Sequence, residues 1–365
     1  MKTFFPDYNN CLSNLTNSIL KYYGLKTHHK TLDKLDYILN EKEYKNIVLI
    51  LYDGIGTNLL KRNLKEEDFL NSHKELDINA VFPPTTTAST TSILSGLNPN
   101  EHGWLGWDLY FKEINKVVTM FTNTLKDTEK VISEESISEK TYPYISILEA
   151  IKTKVNTVGL FPFKETLYTD IKDMNEKIIK TCQNNKKNFI YAYYENPDHI
   201  MHKTGNNSKQ TKDTFKMINK ESENLCKNLK DTLVIITADH GHINSEPITL
   251  KDYRDIFECL DRNTSIEARA CSFKIKKGYE QKFKKLFNQY FSKDFNLYSK
   301  EEVIKLKLFG IGENNKNFED SIGDFLAVAT TNKYFRYDEN SKKFLSQHAG
   351  ITEDEVVVPI IIYRS

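Results

Sequence analysis

Arginine is scarce in this chain, since only six of its 51 basic residues are arginine. The guanidinium group is the side chain that clamps a phosphate with two parallel hydrogen bonds, so arginine is not the main phosphate-binding device of this chain. Metal ions would therefore have to bind and neutralise any phosphate group. The 50 acidic residues leave a net charge of +1, which argues against a binder of duplex nucleic acid.

Cysteine and long apolar segments are also sparse. The five cysteines are odd in number and scattered, with no close pair. They predict reduced thiols of an intracellular protein, not a disulfide framework or a zinc–thiolate site. No stretch of about 18 apolar residues is present, and the first residues lack the apolar segment of a secretory signal. We therefore expect a cytoplasmic protein with no membrane partner.

The pattern of apolar runs predicts an α/β fold. With 365 residues and 39% hydrophobic content, one large domain with an inserted piece is favoured over two independent domains. Strand and helix patterns alternate from residue 46 onwards, which predicts a mostly parallel sheet covered by helices on both faces. Residues 248–344 have a different sequence pattern, which predicts short strands, a lysine-rich helix and polar turns. We expect a core of residues 1–247 and 345–365 and a small inserted α+β cap of residues 248–344.

Three of the predicted buried strands end in acidic residues. The endings are Asp53 after residues 46–52, Glu195 to Asp198 after residues 188–194, and Asp239-His240 after residues 232–238. In open α/β sheets, ligand sites lie just outside the carboxyl ends of the strands. Ordinary turn chemistry explains one such ending easily and three of them poorly.

Two further segments offer histidine side chains. Asp198 and His202 are spaced i, i+4, which places both on one face of a helical turn as two ligands of one ion. His348 precedes the last predicted strand, although an isolated histidine in such a place is more often structural. The combined set of aspartates and histidines contains no thiolate.

A hydroxyl-rich segment follows Pro83-Pro84 and precedes a short apolar helix. It places a threonine at a helix N-terminus, where backbone N–H groups and the helix dipole favour a bound anion. An ordinary Ser/Thr N-cap is the simpler alternative. A threonine hydroxyl is a poor nucleophile, but direct metal coordination lowers its pKa. With the carboxylates and imidazoles, it completes a donor set suited to two zinc ions, or zinc and manganese, about 3.5–4 Å apart.

The order of these motifs resembles the alkaline phosphatase superfamily, and within it the type I phosphodiesterase/nucleotide pyrophosphatase branch. The resemblance covers roughly residues 46–242 and 346–363. Its motifs are Asp53, then Phe-Pro-Pro-x-Thr, Gly96-Leu97-x-Pro99-x-x-His102-Gly103, Pro-Asp-x-x-x-His, Ala-Asp-His-Gly and a late His-x-Gly.

The resemblance implies a role for each of seven residues. One metal ion would be bound by Asp53, Thr86, Asp239 and His240, and the other by Asp198, His202 and His348. Thr86 would form a covalent phosphoenzyme intermediate that water then hydrolyses. Spacing back from Gly96 and His102 selects Thr86 over its neighbours Thr85 and Thr87. His242 has no place in this set.

One departure from the family pattern concerns specificity. The branch commonly has an asparagine a few residues after the His-Gly, where it helps to hold a phosphoryl oxygen, whereas this chain has Trp107 there. The contacts to that oxygen must therefore differ. Trp104 and Trp107 either line a substrate pocket or pack the cap onto the core.

We therefore expect a two-metal phosphoester hydrolase, a phosphodiesterase or nucleotide pyrophosphatase, that acts on a small phosphorylated substrate such as a nucleotide. The alternatives are a C–P hydrolase of the phosphonoacetate hydrolase type, a phosphomonoesterase, and a catalytically silent relative that binds a phosphorylated ligand. A sulfatase is disfavoured because no Cys-x-Pro-x-Arg segment follows Pro84.

Overall fold

The structure is a computed structural model that describes residues 1–162 and 167–365. The helices are α1 (Leu12–Tyr22), α2 (Asp33–Leu39), α3 (Thr57–Asn63), α4 (Phe69–Ser72), α5 (Thr86–Ser95), α6 (Pro99–His102), α7 (Ile137–Thr141), α8 (Ile147–Ile151), α9 (Ile171–Cys182), α10 (Asp198–Thr204), α11 (Lys209–Lys227), α12 (Arg254–Cys259), α13 (Glu280–Phe291), α14 (Lys300–Lys305), α15 (Phe318–Ser321) and α16 (Glu353–Val356), with a 3-10 helix over Leu250–Asp252. The strands are β1 (Asn46–Tyr52), β2 (Lys74–Asn79), β3 (Asp108–Phe111), β4 (Lys116–Thr119), β5 (Thr124–Leu125), β6 (Asn156–Leu160), β7 (Asn188–Tyr194), β8 (Thr232–Thr237), β9 (Ile243–Asn244), β10 (Glu246–Thr249), β11 (Ser265–Ile266), β12 (Ala270–Phe273), β13 (Phe295–Ser299), β14 (Phe325–Ala329), β15 (Lys333–Arg336), β16 (Ser346–Gln347) and β17 (Val357–Arg364).

The central sheet is mostly parallel, as the sequence predicts. Its strand order is β2-β17-β8-β1-β7-β6. Strand β1 runs parallel to β7 and β8, and β6 runs parallel to β7, whereas β17 runs antiparallel to both of its neighbours. Every residue of β1, β7 and β8 is buried, which is the pattern of strands covered on both faces.

The register of this sheet brings the strand ends together. Tyr52 at the end of β1 pairs with Tyr194 at the end of β7, and Leu51 pairs with Thr237 at the end of β8. The backbone N–H of Asp53 donates to the Tyr194 carbonyl at 2.9 Å. The side chains that follow these three strands therefore lie along one edge of the sheet.

A second sheet has the strand order β13-β14-β12-β11-β3-β4-β5. Strands β11 to β14 come from the predicted cap, but β3, β4 and β5 lie within residues 108–125, which the sequence analysis assigned to the core. The two parts meet where Ile266 of β11 pairs with Asp108 of β3. Backbone pairing between residues so far apart in the chain leaves no local signal, so the range 248–344 does not contain the whole second sheet.

A buried ion pair connects the second sheet to the end of the core. The Arg269 side chain donates to both carboxylate oxygens of Glu355, at 2.7 and 2.8 Å, and both side chains are fully buried. Glu355 also accepts a hydrogen bond of 2.7 Å from the backbone N–H of Gly350. This pair therefore fixes the turn that follows His348, and removing one partner would leave an uncompensated charge in the interior.

All five cysteines are free and buried. Within residues 1–162 and 167–365, none of the helices combines the length and the apolar character that crossing a membrane needs.

Candidate two-metal active site

Eight side chains with metal-ligand chemistry lie close together at the carboxyl edge of the central sheet. They include all seven metal ligands that the sequence predicts, together with His242. They form two groups. The nitrogen-rich cluster consists of Asp198, His202, His242 and His348. The oxygen-rich cluster consists of Asp53, Thr86, Asp239 and His240.

The nitrogen-rich cluster converges on one carboxylate oxygen. His202 Nε2 lies 3.3 Å from Asp198 Oδ1, His348 Nε2 lies 3.9 Å from it, and His242 Nε2 contacts the same oxygen. One ligand atom from each of the four residues lies within 4.8 Å of all the others. This spacing allows a single ion to contact all four side chains.

Backbone carbonyls orient two of these imidazoles. His202 Nδ1 lies 2.8 Å from the Ser346 carbonyl oxygen, and His348 Nδ1 lies 3.2 Å from the Pro84 carbonyl oxygen. A carbonyl oxygen only accepts hydrogen bonds, so Nδ1 carries the proton in both rings. The Nε2 lone pairs then point into the cluster, which is how proteins commonly present histidine to a metal.

The oxygen-rich cluster surrounds His240 Nε2. This nitrogen lies 3.3 Å from Asp53 Oδ1, 3.5 Å from Asp239 Oδ2 and 3.2 Å from Thr86 Oγ1. His240 Nδ1 lies 3.1 Å from the Gly241 carbonyl oxygen, so it is again the protonated nitrogen. The imidazole rings of His240 and His348 stack with centroids 3.8 Å apart and so join the two clusters.

The oxygen-rich cluster fits a cation because its acceptors face one another. Within the described part of the chain, Asp53 Oδ1 and Asp239 Oδ2 are buried without a hydrogen-bond donor. Buried polar atoms in native proteins are almost always satisfied, and here the nearest nitrogen, His240 Nε2, offers a lone pair. A divalent ion would satisfy all three atoms, so the residues present fit the metal that their chemistry implies.

The pKa shifts of the carboxylates differ between the two clusters. Burial, together with the negative charges of Asp239 and Asp198, raises the pKa of Asp53 well above its usual value. In the other cluster, burial lowers the pKa of His202 to about 4. Burial also opposes ionisation of Asp198, but attraction to the imidazoles of His202 and His242 in their protonated form outweighs it and holds the pKa of Asp198 well below the usual range. At neutral pH the nitrogen-rich cluster is therefore one carboxylate surrounded by neutral imidazoles.

Helix α10 places Asp198 and His202 on one face, which is the arrangement that their spacing predicts. It begins at Asp198, and His202 follows one turn later on the same face. The backbone N–H of Asp198 donates to the Asp53 carbonyl at 3.1 Å, which ties this helix to the end of β1. His199, which follows Asp198, is exposed and contacts Lys203.

Gly241 allows the chain to deliver His240 and His242 to different clusters. A Cβ atom at Gly241 would lie 1.9 Å from the Asp354 carbonyl oxygen, and Gly56 packs against the same place. The Gly241 N–H donates to the Glu355 carbonyl at 2.9 Å. Only glycine fits this close backbone approach, which fixes the path of the chain between the two histidines.

Thr86 is the first residue of α5 and is 9% exposed. Its hydroxyl donates to Asp53 Oδ2 at 3.4 Å and lies beside His240 Nε2. The positive end of the helix dipole lies at this residue and favours negative charge there. The neighbouring Thr85 hydroxyl instead donates to Glu267 Oε1 at 2.6 Å, and the Thr87 hydroxyl is buried without a partner in the described residues. Among these three threonines, Thr86 alone has its hydroxyl placed against His240.

The two tryptophans have different environments. Trp104 is 5% exposed, and its indole N–H donates to the Tyr142 carbonyl at 2.9 Å, so it packs in the interior. Trp107 is 43% exposed and its ring lies 5.8 Å from that of Phe121. Its backbone N–H donates to Glu267 Oε1 at 2.7 Å. The aromatic face of Trp107 is therefore open to solvent.

His102, which belongs to the glycine-rich motif, is not part of either cluster. Its Nδ1 accepts a hydrogen bond of 3.0 Å from the backbone N–H of Trp104, and its Nε2 lies 3.0 Å from Ser92 Oγ. Burial lowers its pKa to about 3. This neutral imidazole joins α5 to the turn after α6 and has a structural role.

Sequence reasoning missed His242 and Glu267. His242 follows His240 by two residues, which is a visible signal, but its position depends on the distant pairing of β9 with β16. Glu267 lies in the second sheet region and approaches Thr85 from across the fold. Burial raises the pKa of Glu267 to about 7, yet nothing in the sequence around it predicts that environment.

Comparisons with known proteins identify a family and several similar solved structures. A sequence profile of the family described as "Type I phosphodiesterase / nucleotide pyrophosphatase" matches residues 47–173 and 144–352. No curated protein sequence matches the chain. Among solved structures, murine ectonucleotide pyrophosphatase/phosphodiesterase 5 is similar with a TM-score of 0.68 and 16% identity over 86% of this chain and 87% of that chain.

Two other similar solved structures are complexes with small ligands. One is an inactive threonine-to-alanine variant of the same murine protein in complex with AMP, with a TM-score of 0.67 and 16% identity over 87% of each chain. The other is phosphonoacetate hydrolase from Sinorhizobium meliloti 1021 in complex with phosphonoformate, with a TM-score of 0.65 and 15% identity over 87% of this chain and 89% of that chain.

Family and fold together define an enzyme that hydrolyses phosphoric esters or anhydrides. The chain belongs to the type I phosphodiesterase/nucleotide pyrophosphatase family, because the profile match spans most of its length. The resemblance to the alkaline phosphatase superfamily that the sequence motifs carry is thereby confirmed.

Proposed function

We propose that this enzyme hydrolyses phosphodiesters or pyrophosphates of nucleotide size with two divalent metal ions and Thr86 as the nucleophile. One observation carries the proposal. The Thr86 hydroxyl lies 3.4 Å from Asp53 Oδ2 and 3.2 Å from His240 Nε2, beside carboxylate oxygens that lack donors among the described residues.

The two clusters fit ions of the zinc and manganese class. Asp53, Thr86, Asp239 and His240 would hold one ion, and Asp198, His202 and His348 would hold the other. Bound there, the ions would lower the pKa of the Thr86 hydroxyl and neutralise charge on the phosphoryl oxygens. Zinc is the ion we favour because the donor set mixes nitrogen and oxygen without thiolate, and manganese suits the oxygen-rich cluster.

The residues of this chain position the reaction. The hydrogen bond from Thr86 to Asp53 directs the hydroxyl lone pairs away from the carboxylate. Attack by Thr86 Oγ1 on phosphorus forms the phosphothreonine bond and breaks the bond to the leaving-group oxygen, and the proton of the Thr86 hydroxyl ends on the leaving group. Water then cleaves the phosphothreonine and restores the hydroxyl. The N-terminal end of α5 stabilises the negative phosphoryl group while it is attached to Thr86.

We propose that the exposed face of Trp107 contacts the leaving group. Trp107 and Phe121 present adjacent aromatic surfaces, and Glu267 joins Trp107 to Thr85 next to the nucleophile. A planar base would stack on such a surface. AMP in the complex with the murine relative and phosphonoformate in the bacterial one favour a small phosphorylated substrate. The cytoplasmic location and the 248–344 cap boundary stay predictions.

A substrate panel tests this function. Purified protein loaded with Zn²⁺ or Mn²⁺ is given a phosphodiester reporter, a phosphomonoester, a dinucleotide pyrophosphate and phosphonoacetate. We expect the diester or the pyrophosphate to give the highest kcat/KM. Faster turnover of phosphonoacetate would assign the enzyme to C–P hydrolysis, and faster turnover of the monoester would assign it to the phosphomonoesterases. A protein with two bound ions that turns over none of the four would be a silent relative.

A further inference from the structure

We propose that His242 is a fourth protein ligand of the ion in the nitrogen-rich cluster, which makes this cluster an Asp-His₃ site. The inference rests on the two-metal site of the proposed function but not on the identity of its substrate. It adds a ligand to the seven residues that the family motifs imply.

Strand pairing places His242 beside His348. His242 immediately precedes β9 and His348 immediately follows β16, and these two short strands pair antiparallel with Gln347 opposite Ile243. His242 is fully buried, and its ring centroid lies 4.7 Å from that of His202 and 5.1 Å from that of His348. The three imidazoles therefore surround Asp198 from different elements of the fold.

A chain of hydrogen bonds determines which nitrogen of His242 carries the proton. The Asn206 side-chain amide donates from Nδ2 to the His242 carbonyl at 2.9 Å, which fixes the orientation of the amide group. Asn206 Oδ1 then accepts the hydrogen bond of the Ser346 hydroxyl. A serine hydroxyl has a single proton. Once that proton is directed to Asn206, Ser346 Oγ is available only as an acceptor on its remaining sides.

His242 Nδ1 lies 2.6 Å from Ser346 Oγ. Because this oxygen must accept, Nδ1 is the donor and carries the ring proton of the neutral imidazole. Nε2 then presents a lone pair to Asp198 Oδ1, which is itself an acceptor. Two acceptors in contact repel each other unless a cation beside them binds both, and the Nε2 atoms of His202 and His348 approach the same oxygen.

The competing role for His242 is that of a positioning residue that donates from Nε2 to Asp198. That role requires a proton on Nε2. In a neutral ring with its proton on Nε2, Nδ1 would be an acceptor. It would then face Ser346 Oγ, whose only proton is donated to Asn206. The hydrogen-bond chain through Ser346 and Asn206 therefore favours direct coordination.

An Asp-His₃ set has a chemical consequence. Four protein ligands fill the tetrahedral coordination that zinc adopts in sites without an open position, whereas catalytic zinc sites commonly have three protein ligands. The ion in the nitrogen-rich cluster would be held more tightly than the ion beside Thr86. The oxygen-rich cluster also offers four protein ligands, but one of them is the Thr86 hydroxyl, so the reacting position would belong to that cluster.

Nuclear magnetic resonance of the loaded protein tests the assignment directly. The full chain is labelled with ¹⁵N at histidine, loaded with ¹¹³Cd²⁺, and assigned with single His→Gln variants. We expect one-bond ¹¹³Cd–¹⁵N splitting at Nε2 of His202, His242 and His348 from one ion. A His242 Nε2 that carries a proton in the loaded protein would overturn the proposal. The variants serve only to assign the signals, and the measurement does not depend on enzymatic activity.

Metal affinity gives the second readout. His242→Gln should weaken one of two bound Zn²⁺ ions by at least about 100-fold, which exceeds the usual effect of residues that merely orient a ligand. His199→Gln, an exposed histidine on α10, is the matched control and should bind both ions as the wild type does. Wild-type affinity in His242→Gln would contradict the proposal. Absence of hydrolytic activity with normal splitting and affinity would contradict the proposed function alone.

Discussion

The two clusters lie along one edge of the same sheet but differ in the chemistry of their donors. The nitrogen-rich cluster has three imidazoles and one carboxylate, whereas the oxygen-rich cluster has two carboxylates, a hydroxyl and one imidazole. Imidazole-rich sites suit zinc, and sites rich in oxygen accept harder ions such as manganese or magnesium. Under the proposed function, this difference implies separate tasks for two ions. The ion in the nitrogen-rich cluster would be retained by the protein, and the ion in the oxygen-rich cluster would activate the Thr86 hydroxyl.

The clusters are also built by different routes. The oxygen-rich cluster comes from the ends of two neighbouring parallel strands, β1 and β8, and from the first residue of α5. The nitrogen-rich cluster comes from α10 and from the chain segments next to β9 and β16, which lie before and after the predicted cap. Asp198 connects the two, since its carboxylate also lies within 4.8 Å of ligand atoms of Asp53 and His240. The following predictions test how far the two clusters are separate.

Removal of the Thr86 hydroxyl, the proposed nucleophile, should have the largest effect. Thr86→Val deletes the hydroxyl with little change of shape, and we expect kcat to fall by at least ~10³-fold, as the loss of a nucleophile commonly does. Thr86→Ser should retain most of the activity. The matched control is Thr87→Val, which deletes a buried hydroxyl without a partner in the described residues. Full activity of Thr86→Val with metal bound would show that Thr86 is not the nucleophile.

Loss of the shared carboxylate should affect both clusters, and loss of an imidazole only one. We expect Asp198→Asn to weaken both bound ions and His202→Gln to weaken one, each by about 100-fold or more. Metal content after gel filtration, measured by atomic emission, separates the two outcomes. Two ions retained by Asp198→Asn would mean that the clusters do not share this ligand.

Glu267 should make the surroundings of the oxygen-rich cluster sensitive to pH. Burial raises the pKa of this carboxyl group to about 7 in the folded protein, above its value in an unfolded chain. The folded state therefore binds the proton more tightly, and its contribution to stability is complete below about pH 4.5 and is lost as the pH rises through about 7.

The test compares wild type with Glu267→Gln, which keeps Oε1 as the acceptor for Thr85 and Trp107. Between pH 4.5 and 8, the free energy of unfolding of wild type should fall relative to the variant by up to ~3 kcal/mol. Urea unfolding at each pH measures the difference. Parallel pH profiles for the two proteins would contradict a raised pKa at Glu267.

Choice of metal should give the smallest effect. When apo protein receives one equivalent each of Zn²⁺ and Mn²⁺, we expect zinc to occupy the nitrogen-rich cluster with about a tenfold preference. Mn²⁺ in the oxygen-rich cluster gives an electron paramagnetic resonance signal. In His242→Gln we expect this signal to broaden, because Mn²⁺ would then occupy both clusters. If Zn²⁺ and Mn²⁺ are distributed between the clusters in that variant as in the wild type, the result would contradict a role of His242 in the choice of metal.

The sequence predicts the oxygen-rich cluster well because parallel strands end at the same edge of a sheet. The apolar runs before Asp53 and Asp239 are visible without any structure, and α5 begins at Thr86 as predicted. The i, i+4 spacing of Asp198 and His202 is equally local. His348 was proposed from a family resemblance, since nothing around it indicates a ligand.

Features that depend on distant backbone pairing were not predictable. His242 reaches Asp198 only because β9 pairs with β16 about a hundred residues later in the chain. Glu267 approaches Thr85 because β11 pairs with β3, and the same pairing draws residues 108–125 into the second sheet. Each of these depends on two segments whose local patterns carry no information about each other.

Anomalous diffraction from crystals of the zinc-loaded protein tests the central claim most directly. The account predicts two zinc peaks about 3.5–4 Å apart, the spacing of two-metal hydrolases. One peak should be coordinated by Asp198, His202, His242 and His348, and the other by Asp53, Asp239, His240 and Thr86. A single peak, or a second peak with Thr86 Oγ1 out of coordination distance, would contradict the account.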